Sequence, residues 1–566
     1  MLFRLFFMLL AVPFAATSEL FPTEQQPIFD SVGKERLCDT EELCLIENDL
    51  QQVRLPGYGT FKGILAKKSL EGDELPSSIY AWLGIDYATQ PVDDLRFNKV
   101  GPPNPFQGVR HADAYGVACI QDFDFITVAQ GERCLKANFF RTPGHHKEKL
   151  PVLVWIHGGS FNYGSAEQFD AASFVASSKN PMVAVTFNYR LNSLGFLPSP
   201  LFKEDGLLNL GLQDQTLLLE FVQKYIARFG GDSQRVTIGG LSAGSHSTGF
   251  HYQHVREDGP PLLSQAIMQS GSPTSRGFPS LDYPSYQANY AQFLDGLGCI
   301  DAADVLSCLR NADVDLIRNV SSTMWRASLY NITWPFQPVR GGFLLEEAGS
   351  DHWDSDDFNH VPVLTSSVSN EGNLYAPLDL VTNEDFLHFL HNIVPGLTKE
   401  HLSKVQDLYP DPNTYPDSPF SDSPMSPQYK RIGAAYSDYA YICPVQETAV
   451  RVSSVDLPAW KVTFNTNNSF PTYMGVPHSA DAPYSYDSPR TQYPEVSHWY
   501  HAYWASFVTT GDPNIARWPG TPEWPKYSPD ERMQIQVTKK EVIVQKDINR
   551  AEACEFWRSI PKYLDR

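Results

Sequence analysis

The residues with the clearest chemical potential stand at 240–244, where Gly240-Leu241-Ser242-Ala243-Gly244 fits G-x-S-x-G. A serine hydroxyl is a poor nucleophile by itself. The motif carries information when a strand runs into it, the chain turns sharply, and a helix follows. That context is present: the apolar run "RVTIG" precedes Ser242 and "SAGSHSTGFH" reads as the start of a helix. The plainer alternative is a turn serine that caps the helix.

Attack on a carbonyl also needs N–H donors aimed at the oxyanion that develops. "WIHGGSF" ends an apolar strand upstream of the serine and supplies them from Gly159 and Ser160, with the Ala243 N–H as a third donor. The hydroxyl needs a base, and the base needs an acid to orient it. Around a G-x-S-x-G nucleophile the chain order is serine, acid, histidine, which removes His157 and His246. His246, four residues after Ser242, reads as a packed or surface histidine. His388, His391 and His401 fall in a helix-like acidic stretch with no strand before them. His478 follows the strand "WKVTFNT" in the loop "YMGVPHSADAPY", where such a base belongs. For the acid, "VPVLTSSVSNEGNLY" is a strand and a turn that present Glu371 at the strand's carboxyl end. Taken alone, Glu371 could equally be a solvated turn residue.

The elements that must hold these groups alternate between residues 150 and 270. "LPVLVWIHGG" and "PMVAVTFNYR" are buried-strand runs, and "NLGLQDQTLLLEFVQKYIARFGG" has apolar residues at helical spacing and a Gly-Gly stop. "LLSQAIMQSG" returns to a strand. Strands alternating with helices imply an α/β fold with a large, mostly parallel sheet flanked by helices. Pro-rich stretches at 100–106 and 409–427 read as long surface loops. One α/β domain over 19–566 fits this organisation better than two linked ones.

The 566 residues are 42% hydrophobic and 19% charged, as in a globular protein. A net charge of −21 without a basic patch excludes nucleic acid as a partner and reads as a solubilising surface. Residues 1–18, "MLFRLFFMLLAVPFAATS", have the basic, apolar and small-residue order of a cleaved secretory leader. The apolar run is shorter than the ~20 residues of a membrane span, so no stable membrane anchor is expected. The cysteines suit an oxidising compartment and fall as local pairs Cys38/Cys44, Cys119/Cys134 and Cys299/Cys308, leaving Cys443 and Cys554. No C-x-x-C spacing is present, so no metal is expected, and the connectivity stays open at this point. Sequons at Asn319, Asn331 and Asn467 are compatible with glycosylation on surface loops.

Together these residues resemble the type-B carboxylesterases and lipases, the cholinesterase-like branch of the α/β-hydrolases with secreted fungal members. The likeness runs over nearly the whole mature chain. It passes through "WLGIDYATQPVDDLRF", "GERCLKANFFRTP", "PVLVWIHGGSFNYGS", "FNYRLNSLGFL", "FGGDSQRVTIGGLSAGS", "AIMQSGS", "SNEG", "GVPHSADAPY", "YWASFVTTGDPN" and "CEFW". It implies the α/β-hydrolase fold and a secreted serine esterase acting on small-molecule or lipid esters without a cofactor. The family's nucleophile falls on Ser242, its acid on Glu371, its base on His478 and its oxyanion donors on Gly159, Ser160 and Ala243. The resemblance also implies disulfides Cys119–Cys134, Cys299–Cys308 and Cys443–Cys554, an internal Cys38–Cys44 pair, and a buried Arg96–Glu132 ion pair. Two departures bear on substrate and local geometry: Leu241 stands where the family usually has Glu, and Ser160 replaces the third glycine of the oxyanion loop. Choline-selective members place a Trp between the first two paired cysteines, whereas "IQDFDFITVAQGER" offers only Phe123 and Phe125. Without that Trp face and carboxylate a quaternary ammonium is poorly held, so an apolar or bulky acyl ester is expected. Residues 273–350, with Trp325, Trp334 and Phe336, are expected to supply part of the pocket wall. Two other readings share these residues: a non-catalytic binding or adhesion protein, which retention of all three candidates opposes, and acyl transfer to an alcohol or amine.

Overall fold

Continuous apolar runs can be buried on both faces only inside a sheet covered by helices on each side. The computed structural model, which describes residues 51–566 apart from His146 and Asp258, places them there. The leader expected at 1–18 and the Cys38/Cys44 pair lie outside the described residues. In chain order the strands are Gln52–Leu55 (β1), Gly59–Lys62 (β2), Ile64–Lys68 (β3), Glu74–Asp86 (β4), Val109–His111 (β5), Lys136–Arg141 (β6) and Leu150–Ile156 (β7). Then follow Val183–Phe187 (β8), Gly231–Leu241 (β9), Gln265–Gln269 (β10), Val363–Val368 (β11), Ala459–Asn465 (β12), Met533–Thr538 (β13) and Val542–Lys546 (β14). β1, β2 and β5 form a small sheet, and the other eleven form one large sheet in the order β14-β13-β12-β11-β10-β9-β7-β8-β6-β4-β3.

Its centre, from β8 through β13, is parallel, while β3, β4 and β6 at one edge and β14 at the other run antiparallel. Every residue of β7 and β8 is buried. Along β7, Val152, Val154 and Ile156 join one core cluster while Leu153 and Trp155 join another, the period of two that a strand imposes. The first cluster includes the stacked Phe139 and Phe229 rings, 4.1 Å apart, and the second packs Trp155 against Trp504. After β7 the chain adds β8 on one side and then returns to lay β9 on the other. That reversal opens a crevice at the carboxyl ends of β7 and β9, where α/β sheets bind ligands. The helix expected over "NLGLQDQTLLLEFVQKYIARFGG" spans Leu210–Tyr225, and Gly230, with φ of +81°, ends the short 3-10 turn that extends it.

Among the described residues, three disulfides join Cys119 to Cys134, Cys299 to Cys308 and Cys443 to Cys554. Arg96 and Glu132 form a bidentate pair with contacts of 2.6 and 2.8 Å. Asn319 is exposed on the helix Val314–Ser328, not on the loop expected for it, because its neighbours Ile317, Met324 and Trp325 bury one helical stripe. Asn331 follows that helix half-buried, and the Asn467 amide donates to the carbonyls of Phe470 and Gly475. No helix among the described residues is long and apolar enough to cross a membrane.

Candidate active site

Four neighbouring strands deliver one residue each to the crevice. Ser242 directly follows β9, Ser270 follows β10, Glu371 lies just beyond β11, and His478 lies in the loop after β12. Ser242 has φ of 58° and ψ of −123°, a backbone conformation that costs an L-residue about 1–3 kcal/mol. The structure around it holds that strain. Its N–H donates to the Gln269 carbonyl at 2.9 Å, and its carbonyl accepts from His246 N at 2.9 Å as the helix Ala243–Gln253 begins. The flanking glycines are required by crowding: a Cβ on Gly244 would lie 2.0 Å from the Ile156 carbonyl oxygen, and one on Gly240 would lie 2.4 Å from the Gly244 backbone.

His478 and Glu371 meet directly, with Nδ1 2.6 Å from Oε2, and both side chains are buried. The other carboxylate oxygen of Glu371 accepts from Ser270 Oγ at 2.7 Å and from the Val368 N–H at 2.8 Å. Glu371 is therefore a fully engaged buried acceptor, not the solvated turn residue it resembles in isolation. Nε2 of His478 is buried with no hydrogen-bond partner among the described residues, and Ser242 Oγ is not bonded to it. Serine–histidine contacts of this type are commonly long in unliganded enzymes and tighten around substrate.

The loop after β7 turns its carbonyls inward. The Gly159 carbonyl accepts from the Asn162 and Tyr163 N–H groups at 2.9 and 3.0 Å, and the Ser160 carbonyl accepts from Asn162 Nδ2 and Gln337 Nε2 at 2.7 and 2.8 Å. In a trans peptide the N–H points opposite to the preceding carbonyl. Holding Gly159 O inside the turn therefore directs the Ser160 N–H outward, and the helical bond at Ser242 O does the same for the Ala243 N–H. Neither these amides nor that of Gly159 donates to an acceptor among the described residues. Gly159 has φ of +105°, open to glycine alone, whereas Ser160 accepts φ of +55° at a cost of about 1–2 kcal/mol.

The histidines set aside by chain order have structural roles. His157 stacks on Tyr189 at 4.4 Å, and burial pulls its imidazole down to about 4. His246 is buried among Phe161, Phe278 and Tyr441, and burial, with Arg276 and His478 nearby, holds it well below 6.5. His478 is flanked by the Tyr441 and Tyr375 rings at 4.5 and 5.5 Å, whose hydroxyls bond to each other at 3.0 Å. Trp334 lies 6.1 Å from Tyr375 and 5.1 Å from Trp325, so both tryptophans of the 273–350 segment join the aromatic wall beside His478. Phe336 is fully buried behind it, against Phe293. Phe125 joins through Tyr163 at 4.9 Å and Trp325 at 6.4 Å, while Phe123 is 59% exposed beneath Arg318. Leu241 packs into the apolar cluster that contains Trp155 and Val476. No carboxylate stands at that position beside the serine.

The Tyr375 and Tyr441 rings against His478 were not singled out in the sequence, nor were two polar residues near the site. Ser270 sits in "AIMQSGS", a segment noted only as family-like, and anchors Glu371. Asp481, three residues after His478, is fully buried and accepts from Tyr500 at 3.0 Å; burial raises its carboxyl to about 6.

Known proteins share this frame. The carboxylesterase family description matches residues 49–557. The chain is 53% identical to "Secreted lipase 4" of Gibberella zeae over 89% of its own length and 93% of that protein's. It is 27% identical to "Lipase 2" of Geotrichum candidum, over 87% of this chain and 95% of the other. The crystal structure of Aspergillus niger EstA superposes with a TM-score of 0.80 at 26% identity, covering 91% of this chain and 99% of that one. A family match over nearly all of the described residues, with a relative this similar along its length, places the chain in the carboxylesterase family as a carboxylic ester hydrolase with the α/β-hydrolase fold.

Proposed function

We propose that this secreted enzyme cleaves carboxylic esters through an acyl-enzyme on Ser242. His478 Nε2 takes the hydroxyl proton as Oγ attacks the ester carbonyl. Glu371 keeps the other imidazole proton on Nδ1 and stabilises the cation that forms. The N–H groups of Gly159, Ser160 and Ala243 receive the oxyanion. Collapse of the tetrahedral intermediate breaks the ester C–O bond, and the imidazolium returns its proton to the leaving alcohol. A water then attacks the acyl-enzyme, giving its proton to the same nitrogen, and the acid and free serine result. The observation that carries this reading is the 2.6 Å contact between the buried His478 and Glu371 side chains. It leaves one imidazole nitrogen unbonded in the crevice that holds the strained Ser242.

The aromatic wall of Tyr375, Tyr441, Trp325 and Trp334 supports apolar or bulky acyl groups as substrates, and the apolar Leu241 gives a cationic alcohol no counter-charge. The test is the pre-steady-state release of p-nitrophenol from p-nitrophenyl butyrate. An initial burst stoichiometric with enzyme, lost in Ser242→Ala, is the expected result. Equal steady rates in the two proteins would overturn the assignment.

A further inference from the structure

A guanidinium buried away from water ordinarily faces a carboxylate, because its lost hydration has to be replaced. Arg276 breaks that rule. It is 92% buried by its 8% exposure, yet it forms no ion pair among the described residues and its Nε has no acceptor. Nη2 donates to Gln337 Oε1 at 2.8 Å, and the neutral Tyr436 hydroxyl is another polar side-chain group that the guanidinium engages. The cation lies over Trp334 at 4.3 Å and Phe278 at 5.3 Å, contacts that attract it without supplying hydrogen-bond acceptors. His246 is kept neutral by burial, and Tyr436, Tyr439 and Tyr441 are buried phenols held in the protonated form. Arg276 and Trp334 line a cavity in which Asp565, the one carboxylate among the described lining residues, is already paired with Arg340 at 3.3 Å.

Two separate paths connect this cation to the reacting groups. Gln337, which accepts from Arg276, donates through Nε2 to the Ser160 carbonyl at 2.8 Å. Two such bonds across one carboxamide place the guanidinium within about 8 Å of the oxyanion loop. From the other side, Trp334 beneath Arg276 is joined through Tyr375 to His478. The first path ends on the Ser160 carbonyl of the oxyanion loop and the second on the imidazole of His478, so the guanidinium is linked to both sides of the crevice.

Building on the serine-hydrolase reading above, we propose that Arg276 is a specificity residue that binds an anionic group at the distal end of the acyl chain, so that half-esters of dicarboxylic acids are substrates. The ester bond broken is the ordinary one. The guanidinium pairs with the second carboxylate and takes no part in proton transfer.

The test compares monoethyl adipate and monoethyl suberate with ethyl adipamate and ethyl suberamate, their respective neutral carboxamide counterparts, and with ethyl hexanoate, by pH-stat titration at neutral pH. In the unaltered enzyme each half-ester is expected to exceed its own carboxamide in kcat/KM by roughly tenfold, mostly through KM. Arg276→Met should erase that ratio and Arg276→Lys should keep part of it. A ratio at or below one in the unaltered enzyme would overturn the proposal whether or not the variants fold. So would a ratio that survives Arg276→Met. Turnover of none of the esters would instead mark failure of the serine-hydrolase reading itself, which the Ser242→Ala burst comparison detects independently.

Discussion

Replacing Glu371 by glutamine changes one atom and, by this geometry, reverses the chemistry of the base. The carboxylate has two differently occupied oxygens: Oε1 accepts from Ser270 Oγ and the Val368 N–H, and Oε2 faces His478 Nδ1. A hydroxyl can rotate to accept, but the backbone N–H of Val368 can only donate. The glutamine oxygen must therefore occupy the Oε1 side, which turns its NH2 toward His478. The imidazole then has to accept at Nδ1 and carry its proton on Nε2, the nitrogen assigned to take the serine proton. Loss of the competent tautomer lowers kcat by about 10⁴-fold in serine–histidine–acid sites, or roughly 5 kcal/mol of barrier. Because the side-chain volume is preserved, the variant should stay folded with KM little changed. Steady-state hydrolysis of p-nitrophenyl butyrate, with circular dichroism as the control for folding, reads both quantities. A folded Glu371→Gln enzyme within tenfold of the unaltered kcat would refute the tautomer reasoning.

Other consequences follow from the same contacts. Gly244→Ala puts a methyl group 2.0 Å from the Ile156 carbonyl oxygen, which is backbone and cannot swing aside. It should cost about 3 kcal/mol and most of the activity, visible as a lower Tm; an unchanged Tm would contradict the packing at the turn. Asp481 has a carboxyl raised to about 6 from 3.8, so the folded form holds its proton more tightly than the unfolded chain. Its contribution to stability therefore falls as pH rises from about 4 to 6. Asp481→Asn should gain on the unaltered protein across that window, by about 3 kcal/mol at most, in urea unfolding at several pH values; a gap independent of pH would count against it. Removing the Cys443–Cys554 link with a paired Ala substitution opens a loop spanning 111 residues and should cost about 4 kcal/mol, read by the same unfolding assay.

The residues that announced themselves in the sequence are those whose position follows from local pattern. Ser242, Glu371 and His478 each come shortly after a strand, so an apolar run and the turn after it mark them, and chain order sorts their roles. The parallel centre of the sheet was legible for the same reason, since β7 and β8 are unbroken apolar runs. The antiparallel edge of β3, β4 and β6 was not, because strand direction depends on pairing between segments far apart in the chain. Ser270 and Glu371 are 101 residues apart, and Gln337 and Ser160 are 177 apart. No spacing rule connects such pairs; only the folded sheet does. Arg276 was hidden differently. Nothing in "SPTSRGF" marks its arginine as buried, and only the fold shows that it is buried without a carboxylate partner among the described residues.

The proposed chemistry stands on Ser242 as the nucleophile. Its most direct test is labelling with a fluorophosphonate, followed by peptide mass analysis. One adduct per chain is expected, on the peptide that contains Ser242, and none in Ser242→Ala. An adduct on another residue, or equal labelling of Ser242→Ala, would contradict it.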